Sequence, residues 1–366
     1  MFPRAGELAY LDTAAEGLPP AACRDALLAY SEDKALGTPG RTRFYEQESA
    51  ALAGLARMLN VSAGDVALLS SASDALNVFA NSIDWHPGDE VLVSDLEYPS
   101  GVLVWLRLRD RGVTLRVLPS TSGVISLDHF AAAIGPATRV VCVSHVSYKS
   151  GAAIPFLQQL SKAAHAQDAF LVVDATQSLG RLPVPVEGVD FLVASTYKWL
   201  LGLHGLGVAY LAPAARARLG EGALGWYSVR NVFTPDRFER YEAKPGAQWM
   251  MIGMPNFPSI YALRCSVDFL LERTIEQIDA DLKAVVRSLY DGVRQLGIQA
   301  LTPPDAESAS GIVSFPHPDP ERVGAALQKE GVIVWAGDGR VRASVHLYND
   351  KEDVDRLLRV TANVLK

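Results

Sequence analysis

Short apolar, β-branched runs alternate with helix-patterned segments through the middle of the chain, and few folds accept that alternation. Val66–Leu69, Glu90–Val93, Leu115–Leu118, Val140–Ser144, Phe170–Val173 and Phe191–Ser195 read as strands, and a further apolar run follows Gly207. A helix from Ser73, another near Val102–Arg109 and a third over Phe156–Ala166 separate them. Strands apolar along their whole length are buried on both faces, and their alternation with helices predicts an α/β fold with a mostly parallel sheet. Residues 20–59 read as two helices, the second being Tyr45–Leu59. After about residue 240 the character changes. A long helical region, Ile260–Leu296, leads to shorter strands at Gly311–Phe315, Val332–Trp335 and Val341–Ser344, with helices over Glu321–Lys329 and Glu352–Leu365. The expected division is a large domain over residues 18–250 and a smaller α+β domain made of residues 1–17 with 251–366.

Composition removes several function classes. A formal charge of −7 and a pI near 5.6 argue against a nucleic-acid or anionic-membrane partner. The opening MFPRAGELAYLDTAAEG lacks the apolar stretch of a signal peptide, and no run is long enough to span a bilayer, so a cytoplasmic protein is expected. Cys23, Cys142 and Cys265 are too few and too scattered for a disulfide framework or a zinc site, and no metal is expected.

In open α/β sheets ligands bind beyond the carboxyl ends of the strands. Four such ends carry chemistry. In "LLSSASDALNVFA" a Ser-rich turn opens a helix, which suits an anion but also describes an ordinary N-cap. In "VSDLEYPSG" Tyr98 follows a strand, where packing alone would also explain it. "FLVVDATQSLG" puts Asp174 at a strand end with Gln177 three residues on; a turn aspartate is the plainer reading. "FLVASTYKWLLGLHGLG" ends a core strand in Lys198, and a lysine there is costly to desolvate unless paired or chemically used. Together these ends call for a ligand with a phosphate, a flat ring, a basic ring nitrogen and an electrophilic carbon. Pyridoxal 5′-phosphate (PLP) meets each demand. No dinucleotide fingerprint follows a strand and no GxxxxGK[ST] loop exists.

At this point the sequence resembles the class V aminotransferase family of fold-type I PLP enzymes, which includes cysteine desulfurases, isopenicillin N epimerase and kynureninase. The resemblance runs through "YLDTAAEGLPP", "SASDALN", "SDLEYPSG", "DATQ", "STYKWLLGLHGLG", "GMPNFP" and "VRASVHLYND", in the family's order. It implies a seven-stranded-type sheet sandwiched by helices. It implies Lys198 as the Schiff-base lysine, Asp174 paired with the pyridine nitrogen, Gln177 on the ring oxygen and Tyr98 stacked on the ring. Ser73, the amide of Ala72, Ser195 and Tyr197 would hold the phosphate. Arg342 would clamp the substrate carboxylate, with Ala15 and Tyr148 also at the substrate. Family members are usually homodimers, and the segment Gly253–Asn256 would approach the partner's phosphate site, with Met254 where threonine is frequent.

Departures from the family pattern bear on the reaction. Desulfurases need a nucleophilic cysteine on a loop shortly before the carboxylate arginine, and "GVIVWAGDGRVRAS" has none, which disfavours that branch. Cys142 is expected in a buried strand, Cys23 and Cys265 in helices. The Tyr197-Lys198 pair and Tyr148 look closer to the kynureninase and epimerase branch. Glu16 and Lys149 lie in motif segments near the expected cleft, within reach of substrate, and His204 reads as a turn residue satisfied by backbone, with a place facing the substrate as the alternative. The reading that results is an enzyme acting at the α-carbon of a small amino acid, a transaminase by family default. A β-lyase (C–S or C–C) and an epimerase are the alternatives. From another class, a non-catalytic effector-binding α/β protein would leave Lys198 and Arg342 without a joint purpose.

Overall fold

The computed structural model describes residues 2–3, 6–304 and 310–364. After the short β1 (Ala9–Tyr10), seven strands build one sheet: β2 (Val66–Leu69), β3 (Glu90–Ser94), β4 (Thr114–Leu118), β5 (Thr138–Ser144), β6 (Phe170–Asp174), β7 (Phe191–Ser195) and β8 (Gly207–Leu211). Their order is β2-β8-β7-β6-β5-β3-β4, parallel from β7 through β4, with β8 antiparallel to both its neighbours. The α/β expectation with a mostly parallel, helix-covered sheet holds. Interior strands β6 and β8 are buried at every position, whereas the edge strand β4 is mostly exposed or half-buried, as its outer position requires.

The remaining strands are β9 (Ile312–Pro316), β10 (Val332–Ile333), β11 (Trp335–Gly337) and β12 (Arg340–Ser344). β12 lies between β11 and β9, antiparallel to both, while β10 pairs in parallel with β1. The run Val332–Trp335, expected as one strand, therefore divides between two sheets. Likewise the long helical region is two helices, Phe257–Leu271 and Ile275–Gln295. Thr274, at φ 64°, breaks it and caps the second helix through its side chain.

Two glycines fix how the motif loops meet. A Cβ on Gly207 would lie 2.3 Å from the carbonyl carbon of Ser71, so the first residue of β8 presses its backbone against the Ser-rich turn. A Cβ on Gly17 would lie 1.9 Å from the carbonyl oxygen of Lys198, and the Gly17 N–H donates to the Tyr197 carbonyl at 2.8 Å. The amino-terminal motif is thus seated on the lysine loop.

Candidate active site

The carboxyl ends of β2, β5, β6 and β7 surround a cavity of about 190 Å³. Lys198, Asp174, Gln177, Ser195 and Tyr197 line one side of it, and Ala72, Ser73, Tyr98 and Tyr148 another. The structure therefore brings together nine of the residues singled out from sequence. Two others stand just outside. Ala15 sits in a turn whose Ala15 N–H donates to the Asp12 carbonyl, one residue from the Ala14 carbonyl that accepts from Gln177. Arg342, on β12, donates to the Tyr148 carbonyl at 3.2 Å.

Lys198 stands three residues beyond the end of β7, and its buried amine has no carboxylate within 4.0 Å among the described residues. Instead Nζ lies 5.3 Å from the centre of the Tyr98 ring and 5.6 Å from that of Tyr197. Burial pushes its pKa down to about 8, against the pull of Asp174. At neutral pH roughly a tenth of such amines are neutral, compared with a few in ten thousand for an ordinary lysine.

Asp174 ends β6, fully enclosed, and burial holds its carboxyl above the usual carboxylate range. Its Oδ1 accepts from the Thr176 N–H at 2.8 Å, and the Thr176 hydroxyl in turn accepts from the Ser195 N–H at 3.1 Å. Thr176 thus ties the ends of β6 and β7 together; nothing in its spacing marked it. The Gln177 side-chain carbonyl accepts from the Trp199 indole N–H at 2.7 Å, and its amide donates one N–H to the Ala14 carbonyl at 3.0 Å, leaving its second N–H for a ligand. The helix Ala72–Ser82 opens at the cavity with Ser71 as its cap, the Ser71 hydroxyl accepting from Asp74. Ala72 and Ser73, its first two residues, carry orphan N–H groups.

Sequence reading also passed over Glu97 and Asp12. Glu97 is buried beside Ser144, which lines the cavity, and both its oxygens are engaged, by Ser94 at 2.7 Å and Ser144 at 2.6 Å. Only its place beside Tyr98 could have drawn notice. His204 is not satisfied by backbone. Its ring stacks on Tyr197 with centroids 4.3 Å apart, and its Nε2 lies 3.1 Å from the Glu16 carboxylate. Lys149 donates to the Asp95 carbonyl at 2.7 Å.

The family model "Aminotransferase class-V" matches residues 9–357. The chain belongs to the class V aminotransferase family. It is a PLP-dependent enzyme of α/β, fold-type I architecture. A probable cysteine desulfurase of Methanothermobacter thermautotrophicus is 30% identical, over 83% of this chain and 80% of the relative. The uncharacterized aminotransferase YcbU of Bacillus subtilis is 28% identical, over 82% and 79%. Among solved structures, a cysteine desulfurase from Thermococcus onnurineus NA1 superposes with a TM-score of 0.90 at 24% identity, covering 99% and 96% of the two chains. The cystine C–S lyase C-DES, in complex with its product cysteine persulfide, gives 0.91 at 22% identity, covering 99% of each. These superpositions show the fold. The relatives named desulfurases stand in the branch that the missing loop cysteine disfavoured.

The residues present fit PLP. Lys198 is a buried amine with no ion-pair partner among the described residues, and Asp174 is a buried carboxylate that a ring N–H would satisfy. The Ala72 and Ser73 amides stand at a helix start, and the Ser195 and Tyr197 hydroxyls line the same cavity from the end of β7. Among the described residues no helix is long and apolar enough to cross a membrane, and no cluster of His, Cys, Asp or Glu suits a metal ion.

Proposed function

We propose that this enzyme is a lyase that breaks the Cβ–S bond of a sulfur-bearing amino acid without using a protein thiol. The observation that carries the reading is the placement of the cysteines. Cys23 is buried on the helix Ala22–Ala35, its thiol donating to the Ala262 carbonyl, and Cys265 lies on Phe257–Leu271. Cys142 is enclosed in β5, where burial drives its thiol far up, so it stays protonated and inert. The β11–β12 turn, Asp338-Gly339, offers no thiol. Relatives named for sulfur chemistry support the bond broken; the missing thiol supports release of sulfur rather than its transfer to the protein.

PLP, when bound, supplies an electron sink conjugated to the substrate's Cα. Lys198 would carry the cofactor and, once displaced by the substrate amine, take the Cα proton at Nζ. Asp174 would keep the ring nitrogen protonated, Tyr98 would stack on the ring, and Gln177 would donate its second N–H to the ring oxygen. The Ala72 amide, Ser73, Ser195 and Tyr197 would hold the phosphate. Arg342 would take the α-carboxylate, with Ala15 and Tyr148 beside it. The Cβ–S bond then breaks with its electron pair leaving on sulfur, and water converts the three-carbon remainder to pyruvate and ammonia. The 18–250 and 1–17 plus 251–366 division, and a homodimer with Gly253–Asn256 at the partner's phosphate site, belong to the same reading.

The test is product analysis with cystine and cysteine, without an amino acceptor. Pyruvate and ammonia should match the sulfur released, unchanged when Cys23, Cys142 and Cys265 are all replaced by alanine. Alanine formed with a persulfide on the protein would make the enzyme a desulfurase. An absolute requirement for a keto acid would make it the transaminase first expected.

A further inference from the structure

β12 buries two arginines side by side. Arg340 and Arg342 are 5% and 4% exposed and, two residues apart on one strand, share a face. Ser344, next on that face, accepts from the Ala14 N–H at 2.9 Å, so the face is turned toward the amino-terminal motif. The guanidinium carbons lie 4.6 Å (Arg340) and 5.3 Å (Arg342) from the Trp335 ring. Arg340 is also 5.4 Å from the Tyr148 ring, which walls the cavity. Neither group is fully satisfied: the Nε of each is buried and has no acceptor among the described residues. Among the described residues Arg342 has the Asp12 carboxylate at 3.5 Å, whereas the one carboxylate paired with Arg340 is that of Asp338, whose side chain is 68% exposed.

A desolvated guanidinium is expensive, and one suffices for an α-carboxylate. We infer that Arg340 forms a second anion subsite, so that the preferred substrate is an amino acid whose side chain itself ends in a carboxylate. Arg342 holds the α-carboxylate and Arg340 the distal one, displacing Asp338. Same-face positions on a strand stand about 7 Å apart. A linker of about four to six atoms between two carboxylates covers that span. The inference rests on the lyase reading for the bond that breaks; the recognition of two carboxylates stands apart from it.

The experiment compares three mixed disulfides of cysteine, made with 3-mercaptopropionate, propanethiol and cysteamine, on the PLP-loaded enzyme. All release a persulfide, and they differ only in the distal charge. The carboxylate compound should lead in kcat/KM by about tenfold to a hundredfold, the range of a charge-assisted hydrogen bond. Arg340→Gln should abolish that lead while leaving the propyl compound within about threefold, and Asp338→Asn, at an exposed position, should widen it. Equal treatment of the three by the wild type, equal slowing of all three by R340Q, or a narrowed lead in D338N would overturn the subsite. If no disulfide is cleaved, the lyase reading fails and binding decides the subsite. The cofactor's absorption change then compares 2-aminoadipate with norleucine. A preference for the diacid that R340Q removes supports it, and no preference overturns it.

Discussion

Arg342 Nη2 stands 3.5 Å from Asp12 Oδ1, with the two side chains 4% and 15% exposed. The proposed carboxylate clamp therefore already faces a carboxylate of its own chain. Burial raises the Asp12 pKa to about 6, with Arg342 and Lys198 pulling it down and Glu16 adding to the rise. Above that pH Asp12 is charged and competes with a substrate for Arg342; below it the competitor is neutral. Binding of a simple carboxylate inhibitor should thus tighten several-fold as pH falls from about 7.5 to 5. In Asp12→Asn it should be tight throughout and nearly flat with pH. A wild-type inhibition constant that does not change over that range would show that Asp12 leaves Arg342 alone.

Lys198 is expected to carry the cofactor, and its depressed pKa of about 8 governs loading. Only the neutral amine attacks an aldehyde. The rate at which apoenzyme takes up PLP should therefore climb about tenfold per pH unit below 8 and level off above it. Lys198→Ala should retain the fold, show no covalent adduct after borohydride and lose turnover. Mass spectrometry of the reduced protein settles the site: an adduct on any other lysine refutes the assignment.

The glycine at the start of β8 makes a separate prediction. A side chain at Gly207 has nowhere to go, since its Cβ would fall 2.3 Å from Ser71 and 2.4 Å from the Ala72 nitrogen. Gly207→Ala should push the Ser-rich turn out of place at a stability cost of about 1–3 kcal/mol. PLP affinity should drop by about tenfold or more. A variant with normal cofactor affinity and a normal melting temperature would mean that the turn is looser than its packing indicates.

How legible the site was depended on which side of the backbone its chemistry used. Residues at strand ends announce themselves, because an apolar run of five or so positions stops abruptly at a charge or hydroxyl. Asp174, Ser195 and Lys198 were found that way, and the sheet places them at one edge. Partnerships that join distant segments leave no such trace. Asp12 meets Arg342 across 330 residues, and Glu97 meets Ser144 across 47. Neither separation has a period. Val332–Trp335 failed for a related reason: a β-pattern shows that residues are extended, and says nothing of which sheet each one joins.

Glu97 offers a test in stability rather than activity. The carboxyl is enclosed, and burial raises its pKa to about 7 from 4.5, with the Ser144 and Ser94 hydroxyls opposing and Asp174 adding to the rise. A raised carboxyl binds its proton more tightly in the folded chain than in the unfolded one. Stability should therefore fall as pH climbs from about 4.5 to 7, reaching a cost of about 3 kcal/mol above that window. Glu97→Gln keeps the shape and removes the charge. Relative to wild type, the variant should gain at least about 1 kcal/mol between pH 5 and pH 8, measured by urea unfolding at fixed, saturating PLP. A wild-type-to-variant difference that is constant across that interval would mean that Glu97 stays charged in the fold, with its two serine hydroxyls sufficient to solvate it.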